Sequence, residues 1–202
     1  MKIIHLNQSM LHQVMRLERQ CFSLPWSEEL LSAGMLRDDF FDESSNNKSF
    51  NAGVCDEDGQ LLAYVYATIV VDELHVLRIG VDVEHRQRGI GKFILRHVIL
   101  EARRVGARYV LLECRKSNKA AQELYKSLDF LLVGVRRNYY LDDKEDALLF
   151  TCDLDKSESF LRESGLHSGE ALQKVSHVSI KPCANDFCKK SLAIAGRAKS
   201  WG

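Results

Sequence analysis

The sequence has no excess of charge of either sign, because 28 lysines and arginines balance 28 aspartates and glutamates. Proteins dedicated to nucleic acids use clustered Lys and Arg to displace counterions from phosphates, so this balance argues against nucleic-acid specificity. The sequence also has no apolar run approaching the roughly 18 residues that a membrane-spanning helix needs, which argues against a membrane protein. No internal repeat is visible either.

A secretion signal is missing as well, because the chain turns polar at Asn7 and Gln8 before the apolar core of a signal peptide could form. We therefore expect a cytoplasmic protein whose cysteines stay reduced. Cys183 and Cys188 lie close together downstream of His177, a pattern that suggests zinc. Structural zinc needs four ligands at suitable spacing, and no second pair is present, so we expect unligated thiols and no metal.

The composition is that of an ordinary globular protein, with 46% hydrophobic and 28% charged residues in a chain of 202. Periodic apolar segments are dense up to Leu154, whereas the residues that follow are rich in Ser, Gly, His and Lys. The sequence therefore predicts a globular domain over residues 1–154 and a weakly ordered C-terminal extension over residues 155–202. A partner-docking segment is the alternative for the extension, and a short helix over Ser159–Leu166 is expected within it.

Apolar periodicity predicts a mixed α/β fold in the order strand, two helices, strands, helix, strand, helix, strands. Ser9 is expected to cap the first helix, and the polar residues 38–49 are expected to form a loop. We predict strands at Lys2–Leu6, Phe50–Cys55, Leu61–Val71, Glu73–Val83, Arg108–Cys114, Leu131–Val135 and Ala147–Leu154. Four helices are predicted: one whose apolar stripe runs from Leu11 to Cys21, one that begins at Ser27, one over Gly89–Arg104 and one over Ser117–Leu128.

Two glycines open a predicted helix directly after a predicted strand. Gly89 and Gly91 leave the backbone free to bring successive N–H groups close to an anion, and unpaired amides at a helix start favour phosphate. Arg86, Arg88 and Lys92 add positive charge at the rim. A glycine turn that only lets the helix pack on the sheet is the alternative. The segment is neither a P-loop nor a Rossmann fingerprint, because it lacks G-x-x-x-x-G-K-[ST] and a third glycine.

The run Arg86-Gln-Arg-Gly-Ile-Gly91 fits the R/Q-x-x-G-x-G/A signature of the GCN5-related N-acetyltransferase (GNAT) family, which this chain resembles to about residue 154. Leu24–Ser27, Leu112–Phe130 and Arg136–Tyr140 further resemble the RimI-type ribosomal-protein alanine N-acetyltransferases. The resemblance implies the GNAT fold, which is an α/β fold. Its central sheet is mixed, mostly antiparallel and twisted, its middle strands are splayed apart, and helices flank the sheet. It also implies acetyl-CoA as the co-substrate.

The resemblance places acetyl-CoA along one strand end and the glycine turn. A backbone amide of that strand end would polarise the thioester carbonyl. Asn118 would hydrogen-bond the pantetheine arm, although a helix N-cap is the ordinary role for Asn at such a position. The residues implied in acetyl-CoA binding are Ile79, Gly80, Val81, Gln87, Arg88, Gly89, Ile90, Gly91, Lys92 and Asn118.

Glu113 shares one face of a predicted strand with Tyr109 and Leu111. From the residues alone, a solvated edge carboxylate is favoured over a site residue. An amine acetyltransferase must remove a proton from an ammonium before the nitrogen can attack, and partial burial makes a carboxylate a better base. The RimI-type resemblance implies that Glu113 is this base, acting directly or through one water.

Tyr125 lies on a predicted helix face with Ala121, Leu124 and Leu128, where a core tyrosine is the expected role. Acetyl transfer expels a thiolate, and a phenol can donate a proton to it. The RimI-type resemblance implies that Tyr125 is this proton donor.

Three features depart from the family pattern. Asp129 stands where the family has Gly, so the end of the preceding helix would need an acidic residue in the left-handed conformation. Cys114 replaces the common Val beside the proposed base. The loop over residues 38–48 is longer than expected and lies near the presumed peptide entrance, so it bears on substrate choice.

Pro25, Trp26, Tyr139 and Tyr140 supply rigid surfaces that would flank an incoming peptide N-terminus, with loops anchored by aromatics as the alternative. The resemblance implies that the acceptor is the N-terminal alanine of a ribosomal small-subunit protein. Other protein N-termini, lysine side chains and small-molecule amines remain alternatives. A non-catalytic acyl-CoA-binding module whose tail docks a partner is the alternative from another class.

Overall fold

The computed structural model describes residues 1–35, 47–157 and 160. Short 3-10 helices at Gln8–Met10 and Val83–His85 precede the first and third α-helices. The described elements are, in chain order, β1 (Lys2–His5), α1 (Leu11–Cys21), α2 (Glu28–Met35), β2 (Asn47–Cys55), β3 (Leu61–Val70), β4 (Glu73–Val81), α3 (Ile90–Arg104), β5 (Tyr109–Arg115), α4 (Lys119–Lys126), β6 (Leu131–Arg136) and β7 (Ala147–Asp153).

The strands form one seven-stranded sheet in the order β1-β2-β3-β4-β5-β7-β6. Neighbouring strands are antiparallel except β4 and β5, which are parallel. These two strands pair only at their first residues, from Glu73 opposite Tyr109 to His75 opposite Leu111. Beyond that point β4 and β5 separate and leave a gap in the middle of the sheet. The predicted mixed sheet with splayed middle strands is confirmed.

Helices cover both faces of the sheet and create two apolar cores. On one face α3 and α4 pack over the strands, and on the other α1 and α2 contact β2, β3 and β4. In α3 the core-facing residues recur every three or four positions, as an amphipathic helix requires. They are Ile90, Ile94, Leu95, Val98, Ile99 and Ala102.

The cap predicted for the first helix is wrong. Asn7, not Ser9, starts the helical segment, because the Asn7 side-chain oxygen accepts a hydrogen bond from the Ser9 N–H at 3.0 Å. This bond caps the 3-10 helix, and α1 then begins at Leu11 without a side-chain cap. Asn is a preferred N-cap residue, and Asn7 precedes Ser9, so the helical segment begins at Asn7 and Ser9 lies inside it.

Several predicted strand boundaries are displaced by one residue, and two differ by two residues or more. β2 begins at Asn47, where it pairs with Val70, so it replaces the end of the predicted loop over residues 38–49. β4 ends at Val81 rather than Val83, because Asp82 turns the chain into a 3-10 helix. The rest of that predicted loop lies outside the described residues.

The chain after α4 has an acidic residue in the left-handed backbone conformation, as expected from the Asp that replaces the family's Gly. Asp129 has φ of 61°, which confirms the expectation, and its Oδ2 accepts a hydrogen bond from Ser157 Oγ at 2.7 Å. Further along, Phe160 is 0% exposed and its carbonyl accepts from Arg103 Nη1 at 2.9 Å. The chain therefore contacts the core beyond Leu154, and a domain boundary after Leu154 stays a prediction.

Several expectations for the C-terminal extension fall outside the described residues. These are the environment of His177, Cys183 and Cys188 and the short helix over Ser159–Leu166, of which the structure describes Phe160 alone. Among the residues that are described, no helix combines the length and apolarity needed to cross a bilayer. The same residues contain no group of three or more side chains placed to hold a metal ion.

Candidate active site

Ile79, Gly80 and Val81 form the end of β4, where it has separated from β5. On its other side β4 stays paired with β3, and Gly80 lies opposite Tyr64. A Cβ atom at Gly80 would lie 2.5 Å from Tyr64 Cε1, so this close approach requires glycine. The structure thus places the three strand residues predicted to bind acetyl-CoA along one edge of the gap.

The turn before α3 presents consecutive backbone N–H groups. Gln87 and Gly89 have φ of 61° and 79°, both in the left-handed region. Phe93 is the first residue of α3 whose N–H has a backbone acceptor, Gly89 O at 2.9 Å. In the described part of the chain, the N–H groups from Gln87 to Lys92 have no such acceptor. A row of donors at a helix start is the geometry that binds a pyrophosphate.

The side chains of the other turn residues either pack in the core or place positive charge at the surface. Ile90 is buried in the core, so its side chain anchors α3 and its backbone faces the turn. A Cβ atom at Gly91 would make ordinary van der Waals contact with Leu124, at 3.4 Å, so packing alone does not require glycine there. A Cβ atom at Gly89 would lie in open space, so the positive φ of 79° rather than packing favours glycine at that position. Arg88 and Lys92 are exposed cations at the turn.

Asp82 holds this turn in place, although the sequence pattern does not single it out. Its buried carboxylate accepts from the Glu84 N–H at 3.0 Å and from Arg16 Nη1 at 2.7 Å. Burial alone would raise the pKa of Asp82, but the hydrogen bonds from Arg16 and Glu84, together with the nearby His85, outweigh burial and lower it. An Asp directly after a strand, at a helix N-cap, was the available signal. Asp82 thereby ties α1 to the turn.

Arg86 is exposed, as expected for a residue at the rim, but its side chain also bonds to the protein. Its Nε donates to Val81 O at 3.2 Å, and its Nη2 lies 3.5 Å from Cys21 Sγ. The Cys21 thiol donates to the same carbonyl at 3.3 Å. Arg86 therefore connects the end of α1 with the end of β4.

Glu113 lies on β5 beyond the last residue paired with β4, and its side chain is 29% exposed. Its Oε2 accepts a hydrogen bond from Arg136 Nη1 at 3.0 Å. Burial raises the pKa of Glu113 above its ordinary value, although a hydrogen bond from Tyr139 and the positive charge of Arg136 act in the opposite direction. Glu113 is thus a half-buried carboxylate bonded to Arg136 rather than a solvated edge residue.

Tyr125 occupies the core position that its helix spacing predicts. Its ring packs against Phe130 and Phe150, with centroid distances of 5.9 and 5.5 Å. Burial, followed by the neighbouring Cys114 and Tyr140, raises the pKa of the Tyr125 phenol. This phenol stays protonated at neutral pH, which a proton donor requires, and its role in catalysis stays a prediction.

Asn118 is the N-cap of α4, as the structural alternative for this residue predicts. Its Oδ1 accepts from the Ala121 N–H at 3.1 Å. This bond uses the side-chain oxygen, and the amide nitrogen is a separate donor. Asn118 is exposed, so capping and ligand binding by this side chain are compatible.

A buried carboxylate holds the loop that carries Pro25 and Trp26. Glu18 accepts from the Trp26 N–H at 2.8 Å, from the Tyr64 hydroxyl and from Arg78 Nε at 2.8 Å. The Arg78 guanidinium also donates to Leu24 O at 2.8 Å. Neither charged residue was predicted to have a role. The signal for Glu18 was its position on the apolar stripe of α1, where a charge needs a partner.

Tyr139 and Tyr140 lie between β6 and β7, where their rings form an edge-to-face pair. Arg115 packs over the Tyr140 ring at 4.0 Å and binds Asp142 at 2.6 Å. Asp142 also accepts from Ser23 Oγ at 2.6 Å. The structure therefore brings the tyrosine loop into contact with the segment just before Pro25, so the two predicted walls of the peptide entrance adjoin one another.

The sequence model of the acetyltransferase (GNAT) family matches residues 11–130, which include α1, the glycine turn, Glu113 and Tyr125. The match spans more than half of the chain, and the sheet has the splayed middle strands described above. The chain belongs to the GNAT family and is an N-acetyltransferase.

Its similarity to particular members is more specific. The ribosomal protein bS18-alanine N-acetyltransferase of Escherichia coli K12 is 31% identical over 135 residues, which cover 66% of this chain and 84% of that protein. The Salmonella typhimurium protein of the same name is 32% identical over 136 residues, with 66% and 84% coverage.

Solved structures show the same relationship. The crystal structure of the Escherichia coli ribosomal-protein-S18-alanine N-acetyltransferase is 29% identical, with a TM-score of 0.65 over 75% of this chain and 92% of that chain. Arabidopsis thaliana NAA60 in complex with acetyl-CoA is 20% identical, with a TM-score of 0.62 and coverage of 76% and 98%, and shares the fold.

Proposed function

We propose that this protein transfers the acetyl group of acetyl-CoA to a protein N-terminal α-amino group. The proposed acceptor is the N-terminal alanine of a ribosomal small-subunit protein. The proposal is supported by relatives whose names state this activity. This chain aligns with 84% of the length of each of them, at 31–32% identity. An acceptor on a ribosomal protein agrees with the cytoplasmic location expected from the sequence.

The residues along β4 and the glycine turn fit acetyl-CoA. The N–H groups from Gln87 to Lys92 have no backbone acceptor among the described residues, and Arg88 adds positive charge beside them, so this segment would hold the pyrophosphate. Ile79 to Val81 would bond the pantetheine arm and thioester through their backbone, in the gap that β5 leaves. Acetyl-CoA supplies the activated acetyl group, and Asn118 would bind its arm.

Glu113 would act as the general base. A peptide N-terminus is mostly protonated at neutral pH, because its ordinary pKa is about 8. The ammonium would enter between the Pro25-Trp26 and Tyr139-Tyr140 walls and lose one proton to the Glu113 carboxylate, directly or through one water. The raised pKa of Glu113 favours this transfer.

Tyr125 would complete the reaction as the general acid. The neutral amine attacks the thioester carbonyl carbon, and a C–N bond forms. The attached nitrogen then releases its second proton to solvent, Glu113 releases the proton it accepted, and the C–S bond breaks. The departing thiolate takes the Tyr125 hydroxyl proton, and the phenolate regains a proton from solvent. A backbone N–H at the end of β4 would stabilise the charge on the carbonyl oxygen.

The observation that carries this proposal is the position of Glu113, a half-buried carboxylate of raised pKa where β4 and β5 have separated, beside the tyrosine loop. The test is mass spectrometry of peptides incubated with enzyme and acetyl-CoA. A peptide that begins with alanine and carries the N-terminal sequence of bS18 should gain one acetyl group at its α-amine.

Matched peptides separate the alternative acceptors. The same peptide with a blocked N-terminus and an internal lysine should stay unmodified if the α-amine is the acceptor. Acetylation of the lysine peptide alone would replace the proposed acceptor with a side-chain amine. Acetyl-CoA binding without modification of either peptide or of a panel of small amines would favour the non-catalytic acyl-CoA-binding module.

A further inference from the structure

Arg136 reaches Glu113 across an intervening strand. In the register of the sheet Glu113 lies opposite Leu149 of β7, and Leu149 lies opposite Gly134 of β6. Arg136, two residues beyond Gly134, shares that face of the sheet and lies opposite Ala147. Since Ala147 is small, the Arg136 side chain has room to pass over β7, and its Nη1 donates to Glu113 Oε2 at 3.0 Å.

We propose that Arg136 is a positioning residue, which holds the Glu113 carboxylate ionised and oriented toward the peptide entrance. This inference rests on the proposed function of Glu113 as the base. Tyr139 donates to the same carboxylate, so Glu113 is fixed between β6 and the tyrosine loop. A base fixed by two bonds has a defined direction toward the incoming amine.

The other groups around Glu113 do not supply a second direct positive partner among the described residues. Arg115, on the same face of β5, is occupied by the carboxylates of Asp142 and Asp143 and by the Tyr140 ring. Among the described residues, the titratable and charged groups around Glu113 and its immediate neighbours lie on four segments. They are Cys114 and Arg115 of β5, Arg136 of β6, Tyr139, Tyr140 and Glu145 of the connection to β7, and Arg78 of β4.

The charge of Arg136 matters because burial opposes ionisation of Glu113. Burial raises the pKa of Glu113, and the cation and the Tyr139 hydrogen bond limit the rise. Without the cation, a larger fraction of Glu113 would be protonated at neutral pH and unable to accept a proton from the substrate. Removal of an opposite charge at this distance shifts a carboxyl pKa by about 1–3 units.

A direct titration tests this role without any turnover. The pKa of Glu113 is measured by carbon NMR of its labelled side-chain carboxyl, assigned with Glu113→Gln, in wild type, Arg136→Met and Arg136→Lys. The pKa should rise by about 1 unit or more in Arg136→Met and return toward the wild-type value in Arg136→Lys. Arg137→Met, which removes the adjacent exposed arginine, is the matched control and should titrate like wild type.

Kinetics give a second readout. The acidic limb of the kcat/KM profile for the alanine peptide should move to higher pH in Arg136→Met, with at least a tenfold loss at the acidic end and recovery at high pH. A pH-independent loss, or an unchanged Glu113 titration, would overturn the role of Arg136. If Arg136→Met does not fold, Arg136→Gln replaces it. Absence of acetylation by wild type would overturn the proposed function, but the NMR titration would still decide the role of Arg136.

Discussion

Glu18 of α1 and Arg78 of β4 form a buried ion pair that bonds to the loop carrying Pro25 and Trp26. Their closest atoms, Glu18 Oε1 and Arg78 Nη2, lie 2.5 Å apart, and Glu18 is 1% exposed. The same carboxylate accepts the Trp26 N–H, and the guanidinium lies 3.5 Å from the centroid of the Phe22 ring. The pair therefore joins the core of the protein to the wall that would contact the substrate.

Loss of one partner of this pair should be costly. Arg78→Met should reduce the free energy of unfolding by about 3–5 kcal/mol, because it leaves the Glu18 carboxylate buried without its cation. Urea denaturation measures the change. Arg19→Met, which removes an exposed arginine from the same helix as Glu18, should change stability by less than about 0.5 kcal/mol. Equal stability of both variants would show that the pair does not support the loop.

The glycine turn can be tested with two glycines of the same conformation. Gly89 and Gly59 both have positive φ and open space around them, so substitution by Glu brings similar backbone strain at each. Acetyl-CoA at 100 times its Kd should stabilise wild type by about 2.7 kcal/mol. Gly59→Glu should keep this stabilisation, whereas Gly89→Glu should lose it, because its side chain places negative charge beside the pyrophosphate. Thermal melts with and without acetyl-CoA measure both, and retained stabilisation in Gly89→Glu would place the co-substrate elsewhere.

Much of the fold follows from local patterns in the sequence. The apolar spacing of α3 and the alternation along β5 are set by neighbouring residues, so they were predictable, whereas the left-handed Asp129 was expected from the glycine that the family has at this position. The splayed strands and the placement of the glycine turn came from family resemblance, since no local pattern specifies where two parallel strands separate.

The contacts between charged residues of the site could not be predicted from the sequence. Arg16 with Asp82 and Arg136 with Glu113 join residues 66 and 23 positions apart. A sequence shows that such charges exist, but tertiary packing decides which of them meet. For the same reason the core position of Tyr125 was predictable from its spacing, whereas its electrostatic neighbours were not.

Replacement of Glu113 should separate binding from chemistry. Glu113→Gln should retain acetyl-CoA binding and slow acetylation of the alanine peptide by about 100-fold or more, the scale of a lost general base. The wild-type rate should fall as pH drops through the raised pKa of Glu113, since only the ionised form accepts a proton. The deficit of the variant should therefore shrink at high pH, where the free amine is abundant. Glu123→Gln, an exposed residue of α4, is the control and should be fully active.

The C-terminal extension can be divided at Phe160. Deletion of residues 161–202 should leave acetyl-CoA binding and peptide acetylation nearly unchanged, because every proposed site residue precedes residue 141. Phe160→Ala should lower the free energy of unfolding by about 3–5 kcal/mol, because it empties a fully buried aromatic position. Urea denaturation and peptide kinetics measure these effects. An inactive deletion variant would show that the extension contributes to the site.

The most direct measurement is the intact mass of the ribosomal proteins from cells with and without this protein. If the proposal is right, bS18 or its counterpart should carry one acetyl group on its N-terminal alanine in the first cells and none in the second. Wild-type protein should restore the acetyl group and Glu113→Gln should not. An unchanged acetylation state of the small-subunit proteins would contradict the proposed acceptor.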